Sequence, residues 1–308
     1  MKHLATSLIL LMCCFSVIGA PAHTETSKNV GVLWVGKASM QDRVLKGFMQ
    51  RIRVLAPSIH VEVKPRLKGF EEASFVVDRY AKQKDAIVFL RSSGAKFLAS
   101  YSLAIPAFIG GCNNPVSLGV TSSLSSPDKG ITGVTYYLPY EQHFSVIEGV
   151  FKNLKTIGLL LEKGHPGSAI DAQGTKVQTE ARGITLHTRF FTSKSELLSE
   201  TKNLKSKVDL FITGSQALIF ENVKDVVKYA GKIPVVSYSG KSVEDGALFG
   251  LVPDDNKLGL MLADSVVDVL INNIPISQVP IKTDPAPELR VNKEMQQFHK
   301  VEIDAVNP

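Results

Sequence analysis

The sequence predicts an α/β protein with two doubly wound, parallel-sheet lobes that are joined by a hinge and separated by a cleft. Apolar runs of strand length alternate with helical periodicities along most of the 308 residues, the pattern typical of parallel sheets covered by helices. The plan occurs twice, since the runs that begin at Val30 and Asp85 have counterparts at Thr156 and Asp209. The apolar stretch 130–139 joins the two halves. We therefore expect one lobe from each half and a binding cleft between them.

In the first half, each strand is followed by a helix. Helical spacing of apolar residues predicts the helices, and Pro57 ends the first of them. The predicted strands are 30–35, 60–63, 85–90 and 105–109, and the predicted helices are 40–55, 70–83 and 96–102. Residues 92–94, Ser-Ser-Gly, are predicted as a turn.

The second half repeats this alternation. Ser193 and Glu196 have the spacing of a capping box and predict the start of a helix. The predicted strands are 156–161, 184–191, 208–213, 233–238 and 247–252, and the predicted helices end near 181, 204, 229, 271 and 299. We expect the first lobe to comprise 23–136 plus about 254–278, and the second 137–253 plus about 279–308.

The N-terminus has the pattern of a signal peptide. Lys2 and His3 precede an apolar run over 4–18, and small residues follow at 20–22. An uncleaved anchor needs about 20 apolar residues. Lipidation at Cys14 is an alternative, although Met12 and Cys13 are unfavourable before a lipidated cysteine. We predict a signal peptide over 1–22 and a periplasmic protein.

Composition limits the classes of partner. Hydrophobic residues make up 44% and charged residues 21% of the chain, as in ordinary globular proteins. The net charge of +6 is spread thinly, which argues against a nucleic-acid partner. Cys112 is the only cysteine after the predicted signal peptide, so neither an internal disulfide nor a thiolate metal site is expected. We expect no cofactor, no metal and a monomer.

Candidate ligand-binding residues follow from the strand ends, because ligands of open parallel sheets bind beyond the carboxyl ends of the strands. The loops there are rich in Gly, Ser and Asn, which can serve a ligand or simply form turns and helix caps. The candidates are Trp34, Lys37, Ser39, Ser92, Ser93, Asn113, Asn114, Tyr136, Ser168, Gly214, Ser215, Tyr238 and Asp254.

Three of these positions, Trp34, Tyr136 and Asp254, leave alternatives open. Trp34 can stack on a ligand or fill the core. Strand alternation sends one of Tyr136 and Tyr137 towards the cleft and the other away. For the adjacent carboxylates, Asp255 is the expected helix cap and Asp254 the expected ammonium ligand.

Enzymatic motifs are absent from the sequence. No HExxH, GxSxG, Walker loop or GxGxxG pattern is present. His165 is the one histidine on a predicted cleft loop, and Ser168 follows it closely. A small hydrolase that uses this pair remains an alternative, but a binding protein without catalysis is favoured.

Several segments resemble the substrate-binding proteins of ABC transporters, in the group similar to TrpX. The similar segments are Ile105-Pro-Ala-Phe-Ile-Gly-Gly-Cys-Asn-Asn-Pro-Val, Gly130-Ile-Thr-Gly-Val, Lys155-Thr-Ile-Gly-Leu-Leu, Pro166-Gly167-Ser168, Val235-Val-Ser-Tyr-Ser and Val243-Glu-Asp-Gly-Ala-Leu. The resemblance extends over nearly the whole predicted mature chain. It implies a type I periplasmic-binding-protein fold whose strand-end loops bind amino acids or related small molecules.

The resemblance also implies a function and a partner. We expect a periplasmic solute-binding protein that presents its ligand to an ABC permease in the inner membrane. A sensory module that reports to a membrane signalling protein is the alternative, with the same cleft and another partner. Asn113 and Asn114 replace the family's Thr-Asp pair, and Arg91 and Lys37 favour an anionic ligand.

Overall fold

The computed structural model describes residues 27–36 and 39–303. The predicted signal peptide and the candidate residue Lys37 therefore lie outside the described residues. Within them, the chain forms two α/β lobes, as the sequence predicts. None of the described helices combines the length and the apolar character that crossing a bilayer requires.

The first lobe contains a five-stranded sheet in which all neighbouring strands are parallel. Its strands are β1 (Lys28–Val35), β2 (Ile59–Leu67), β3 (Ala86–Leu90), β4 (Ala107–Cys112) and β5 (Ile131–Thr135), in the order β2-β1-β3-β4-β5. Every residue of β3, β4 and β5 is buried, as expected for strands that helices cover on both faces.

Helices cover both faces of this sheet. The first three are α1 (Ser39–Leu55), α2 (Phe70–Gln83) and α3 (Arg91–Ala99). One apolar core lies between the sheet and α1, with Phe48 and Ile52 among its members. A second core lies on the opposite face, where Val77 and Tyr80 of α2 pack against the strands.

The second lobe contains a four-stranded parallel sheet. Its strands are β6 (Thr156–Glu162), β7 (Thr185–Phe191), β8 (Leu210–Thr213) and β9 (Val235–Ser237), in the order β7-β6-β8-β9. Beside them, β10 (Phe249–Val252) pairs antiparallel with β11 (Glu288–Val291). The second lobe therefore repeats the plan of the first and adds a small ribbon at one edge.

The helices of the second half of the chain are divided between the two lobes. Those that pack on the second sheet or follow its ribbon are α4 (Tyr140–Val150), α5 (Pro166–Ala181), α6 (Lys194–Leu204), α7 (Ala217–Phe220), α8 (Val223–Ala230), α9 (Gly240–Glu244) and α11 (Lys293–His299). The remaining helix, α10 (Asp255–Leu270), returns to the first lobe, where Leu262 and Val266 join the core beneath α1.

Two glycines allow α10 to approach α1 closely. A Cβ on Gly259 would lie 2.1 Å from the Val44 backbone oxygen, and a Cβ on Gly47 would lie 2.1 Å from the Asn256 backbone oxygen. Real side-chain carbons do not approach that closely, so only glycine fits at either crossing point. The contact fixes α10 against α1 in the first lobe.

The chain after α10 differs from the predicted boundary near residue 279. Lys282 N donates to Gly133 O at 2.9 Å, and Ile281 N donates to Leu124 O at 2.8 Å. These bonds place residues 279–282 beside β5 of the first lobe, although the sequence assigned them to the second. The segment forms an isolated parallel bridge between Lys282 and Val134 at β5, the edge strand of the first sheet.

Two predicted local features also differ. Residues 92–94, predicted as a turn, form the first turn of α3, because Ser92 and Gly94 are buried and packing overrides their low helix propensity. The helix predicted over 219–229 is broken into α7 and α8. At α6, Ser193 Oγ accepts a bond from Glu196 N as the capping box predicts, but the Glu196 carboxylate accepts from Thr192 N.

Candidate functional site

A cleft of about 710 Å³ lies between the two lobes, at the carboxyl ends of both sheets. Both lobes supply its walls. The lining residues are Met40, Gln41, Arg43, Arg91, Ser92, Gly111, Tyr136, His165, Ser215, Phe220, Tyr238, Ser239, Gly240, Lys241, Val252, Pro253, Asp255 and Arg290. The lining therefore combines aromatic and aliphatic groups with several charges, as small-molecule sites commonly do.

Arg91 is the cation of the lining that lacks a counter-ion. It lies at the junction of β3 and α3 with a φ of +76°, a conformation that costs a non-glycine residue of the order of 1–3 kcal/mol. Its Nη1 donates to Val35 O at 2.7 Å. Among the described residues, no carboxylate lies within ion-pair distance of its guanidinium.

The environment of Arg91 disfavours an unpaired charge. The side chain is half-buried, and burial lowers the pKa of its guanidinium, against the opposing influence of Tyr136, Glu162 and Glu221. Arginine nevertheless stays charged in proteins. The cleft thus contains a strained, partly desolvated cation that an anion would stabilise.

His165 contributes a hydrogen-bond donor from the second lobe. As N-cap of α5, its Nδ1 accepts a bond from Gly167 N at 3.1 Å. Burial, together with the positive charge of Arg91, lowers the pKa of His165 to about 4. The ring is therefore neutral at pH 7, and because Nδ1 accepts, its single proton is on Nε2.

Tyr136 links the two lobes across the cleft. Its hydroxyl lies 3.4 Å from Ser92 Oγ of the first lobe and 3.3 Å from Ser215 Oγ of the second. Ser92 Oγ also accepts a bond from Asn113 N at 2.9 Å. Burial raises the pKa of the Tyr136 hydroxyl well above its usual value. The group remains a neutral donor and acceptor at the cleft wall.

Tyr238 continues the aromatic wall. Its hydroxyl bonds to Thr175 Oγ1 at 2.7 Å, and its ring lies 4.8 Å from that of His143 and 5.4 Å from that of Tyr140, measured between centroids. These rings fill the space between α4 and the second sheet. They hold Tyr238 at a fixed position beside the ligand space.

Behind the cleft, Asp171 of α5 is buried and fully paired. Its Oδ1 accepts from Asn113 Nδ2 at 2.8 Å and from the Tyr140 hydroxyl at 2.7 Å. Its Oδ2 accepts from Gln216 Nε2 at 2.6 Å. Burial raises the pKa of Asp171, and these hydrogen bonds oppose the rise. The carboxylate therefore joins both lobes without facing the ligand space.

At the other end of the cleft, the charges are balanced. Arg43 Nη2 lies 2.7 Å from Asp255 Oδ2. Lys241 lies 2.8 Å from Asp245, and Arg290 lies 2.8 Å from Glu288. Each of these three cations has a carboxylate partner, in contrast to Arg91.

Comparison with known families identifies this architecture. The profile of the ABC transporter substrate binding protein family matches residues 71–306, well over half of the chain. The chain belongs to this family. This membership confirms the resemblance drawn from the sequence and makes the chain a substrate-binding protein of the ABC transporter type.

Individual relatives are more distant. A tyrosine-binding protein of Clostridioides difficile is 20% identical over 278 residues, which cover 88% of this chain and 80% of the relative. A Streptococcus domain solved in complex with L-Trp superposes with a TM-score of 0.80 at 22% identity, covering 91% of this chain and 96% of the other.

Solved structures of lower sequence identity share the fold as well. A Bacillus halodurans solute-binding protein with bound myo-inositol superposes with a TM-score of 0.64 at 13% identity, covering 91% of this chain and 99% of the other. The predicted type I periplasmic-binding fold with two lobes is confirmed.

Four predicted residues of this substrate-binding protein line the cleft. They are Ser92, Tyr136, Ser215 and Tyr238. Asn113 lies just behind them, buried in the Asp171 network, and lines a smaller adjoining hollow with Tyr137. Alternation along the crossing thus directs Tyr136 into the main cleft and Tyr137 away from it.

Two predicted residues have structural roles instead. Trp34 is fully buried in the core shared with α1 and does not line the cleft, so the core alternative is correct for it. Asn114 Oδ1 accepts bonds from Val116 N at 3.0 Å and Ser117 N at 3.2 Å, as a turn residue does.

The helix cap is the other of the two adjacent carboxylates. Asp254 caps α10, accepting bonds from Asn256 N at 2.7 Å and Lys257 N at 3.0 Å. Asp255 begins the helix and faces the cleft. A shift of one residue in the start of the helix decides which carboxylate points outwards.

Three further candidates, Ser168, Gly214 and Ser93, do not line the cleft. Ser168 is buried and its Oγ has no hydrogen-bond partner, so no Ser168–His165 pair of the kind a hydrolase needs is formed. Gly214 lies against the Gln216 amide, which a Cβ would approach to 2.3 Å. Ser93 is half-buried outside the lining. Ser39 begins α1.

Sequence reasoning missed the charged lining residues Arg43, Lys241, Asp255 and Arg290. Lys241 lies in the short helix α9, soon after the end of β9, and no sequence pattern distinguished it. Arg290 reaches the cleft because β11 pairs with β10, and its guanidinium lies against Gly240. That pairing joins segments far apart in sequence and leaves no local signal.

Proposed function

We propose that this chain is an exported solute-binding protein that captures a small amino-acid-like or carboxylate ligand between its lobes and delivers it to an ABC permease in the inner membrane. It binds without catalysis and functions in the periplasm. The observation that supports the ligand class is Arg91, a half-buried guanidinium in the cleft with no carboxylate partner among the described residues.

The other lining groups suit a ligand with an apolar ring. Met40, Phe220 and Val252 supply apolar surface, and Tyr136 and Tyr238 supply aromatic edges with hydroxyl groups. The tyrosine-binding relative and the relative solved with L-Trp favour the same ligand class. A ligand with an aromatic ring and a carboxylate matches this cleft, because its ring contacts the apolar lining and its carboxylate pairs with Arg91.

Delivery depends on a change in the separation of the lobes. A ligand favours the closed form only by as much as it binds that form more tightly than the open one. Tyr136, Ser92 and Ser215 meet across the cleft, so a ligand beside them contacts both lobes. Binding there stabilises the closed arrangement that a permease can distinguish from the open one.

A thermal-shift screen tests this function. The panel contains the twenty amino acids, their des-amino carboxylate counterparts, sugars and purines. A ligand at 100 times its dissociation constant stabilises the folded state by about 2.7 kcal/mol. We expect stabilisation by aromatic compounds that carry a carboxylate. Stabilisation by sugars or purines alone would contradict the proposed ligand class.

A further inference from the structure

The charges that line the cleft do not balance. Four cationic side chains line it, namely Arg43, Arg91, Lys241 and Arg290, and Asp255 is the acidic residue of the lining. Arg43 is paired with Asp255, Lys241 with Asp245, and Arg290 with Glu288. Among the described residues this leaves Arg91 as the lining cation without an ion pair, and Glu162 and Glu221, which act on it from a distance, do not line the cleft.

The acidic residue that lines the cleft is already engaged. Asp255 Oδ2 accepts bonds from both Arg43 Nε at 2.8 Å and Arg43 Nη2 at 2.7 Å. An ammonium group at this carboxylate would therefore meet the like charge of Arg43. Asp254 is occupied as the cap of α10. Asp171 has three donors on its two oxygens and does not line the cleft.

The hydrogen-bond donors around the Arg91 side chain come from both lobes. Arg91 presents its guanidinium from the first lobe, and His165 presents its Nε2 proton from the second. Ser92 and Ser215 add hydroxyls that lie near Tyr136. This set favours an anionic group placed between Arg91 and His165, because charge-assisted hydrogen bonds are the strong ones.

The available partners then select the ligand's charged groups. A carboxylate can pair with Arg91, the lining cation without an ion pair. The ammonium group of an amino acid finds no such partner, because Asp255, the acidic residue of the lining, is already paired with Arg43. Desolvating an unpaired charge is costly.

We propose that the ligand of this cleft is an aromatic monocarboxylate without an α-ammonium group, held by its carboxylate between Arg91 and His165. This inference rests on the proposed function and narrows its ligand class. The α-amino group of an aromatic amino acid weakens binding instead of strengthening it.

Isothermal titration with matched compounds tests the proposal. The first series is L-tryptophan, 3-indolepropionate and tryptamine, and the second is L-tyrosine, 3-(4-hydroxyphenyl)propionate and tyramine. Within each series the ring is constant while the net charge changes from 0 to −1 to +1. We expect the propionate to bind at least tenfold more tightly than the amino acid, and the amine to bind most weakly.

Two variants show whether Arg91 causes the preference. Arg91→Met removes the guanidinium that has no ion pair. The ratio of the amino acid's dissociation constant to that of the propionate should therefore shrink at least tenfold. Arg79→Met removes an arginine from α2 that pairs with Glu62 at 3.1 Å, away from the cleft lining, and should leave the preference intact. Melting curves confirm that both variants are folded.

The outcomes separate this proposal from the proposed function. Equal or tighter binding of the amino acids in the wild-type protein overturns the monocarboxylate proposal and leaves the solute-binding function supported. Failure of all six compounds to bind overturns the monocarboxylate proposal and the aromatic ligand class of the proposed function. Tighter binding of either propionate, lost with Arg91→Met, supports both.

Discussion

The side-chain amide of Asn113 donates to the carboxylate of Asp171 at 2.8 Å. Asn113 follows β4 of the first sheet, and Asp171 belongs to α5 of the second lobe. The bond therefore joins the lobes behind the ligand space. Tyr140 and Gln216 complete the environment of the same carboxylate, so Asp171 satisfies three donors in a buried position.

Removing the carboxylate should destabilise the protein strongly. Asp171→Ala leaves three buried donors without their acceptor, and each unsatisfied group costs about 1–3 kcal/mol. We expect a loss of at least about 3 kcal/mol in the free energy of unfolding, measured by urea titration at pH 7. Asp171→Asn retains one oxygen and should lose less. The control is Asp225→Ala, which removes an exposed ion pair with Lys194. Equal losses in Asp171→Ala and the control would contradict this account.

At the crossing of α1 and α10, we expect one added methyl group to destabilise the protein by a steric clash. Gly259→Ala places a Cβ 2.1 Å from Val44 O, which forces the helices apart. Overpacking of this kind costs about 1–3 kcal/mol. Urea unfolding measures the loss.

The matched control for Gly259→Ala is Gly69→Ala. Gly69 precedes α2 with extended backbone, and a Cβ there would meet nothing within 4 Å. We expect a change within about 0.5 kcal/mol at this position. A Gly259→Ala protein as stable as the control would show that the helices are not held at this distance.

Acid should destabilise the protein through His143. Burial lowers the pKa of His143 to about 4 from the usual 6.5, so the folded state binds its proton less readily than the unfolded state. The stabilisation is complete above pH 6.5 and is lost as the pH falls towards 4. The shift corresponds to at most about 3 kcal/mol. His165 adds an effect of the same sign.

Replacement of His143 isolates its share of the acid effect. The ring packs against Tyr238 and Tyr140, and His143→Phe retains an aromatic ring without a titrating nitrogen. We expect a smaller loss of unfolding free energy between pH 7 and pH 4 than in the wild-type protein. His60→Phe, at an exposed position of β2, should retain the wild-type dependence. An unchanged dependence in His143→Phe would contradict the assignment.

Arg91 should show a trade-off between stability and binding. Its φ of +76° is a conformation that glycine adopts without strain. Arg91→Gly releases this strain and removes a partly buried charge, but it also loses the bond to Val35 O. We expect a melting temperature equal to or above that of the wild-type protein, together with weaker binding of aromatic carboxylates. A large fall in melting temperature would show that Arg91 is present for stability.

The sequence predicted those parts of the site that depend on local pattern. Ser92, Tyr136, Ser215 and Tyr238 all follow strands whose apolar runs are unmistakable, and parallel topology brings strand ends together. Trp34 was ambiguous because a strand end can face either the core or the cleft. The choice depends on the packing of α1, which the local sequence does not determine.

Charged lining residues were harder to predict because long-range contacts position them. The pairing of β11 with β10 brings Arg290 to the cleft. Asp255 faces the cleft because α10 begins at this residue. Asp171 lies in the middle of a helix and carries no motif. Its role follows only from the meeting of Asn113, Tyr140 and Gln216.

The central claim is that the cleft receives a carboxylate at Arg91, and the affinity of the Arg91→Met variant tests it most directly. Charge-assisted hydrogen bonds contribute about 1.5–3 kcal/mol. Isothermal titration should therefore give a dissociation constant for 3-indolepropionate about 10- to 100-fold higher than that of the wild-type protein. An unchanged dissociation constant in a folded variant would contradict the claim.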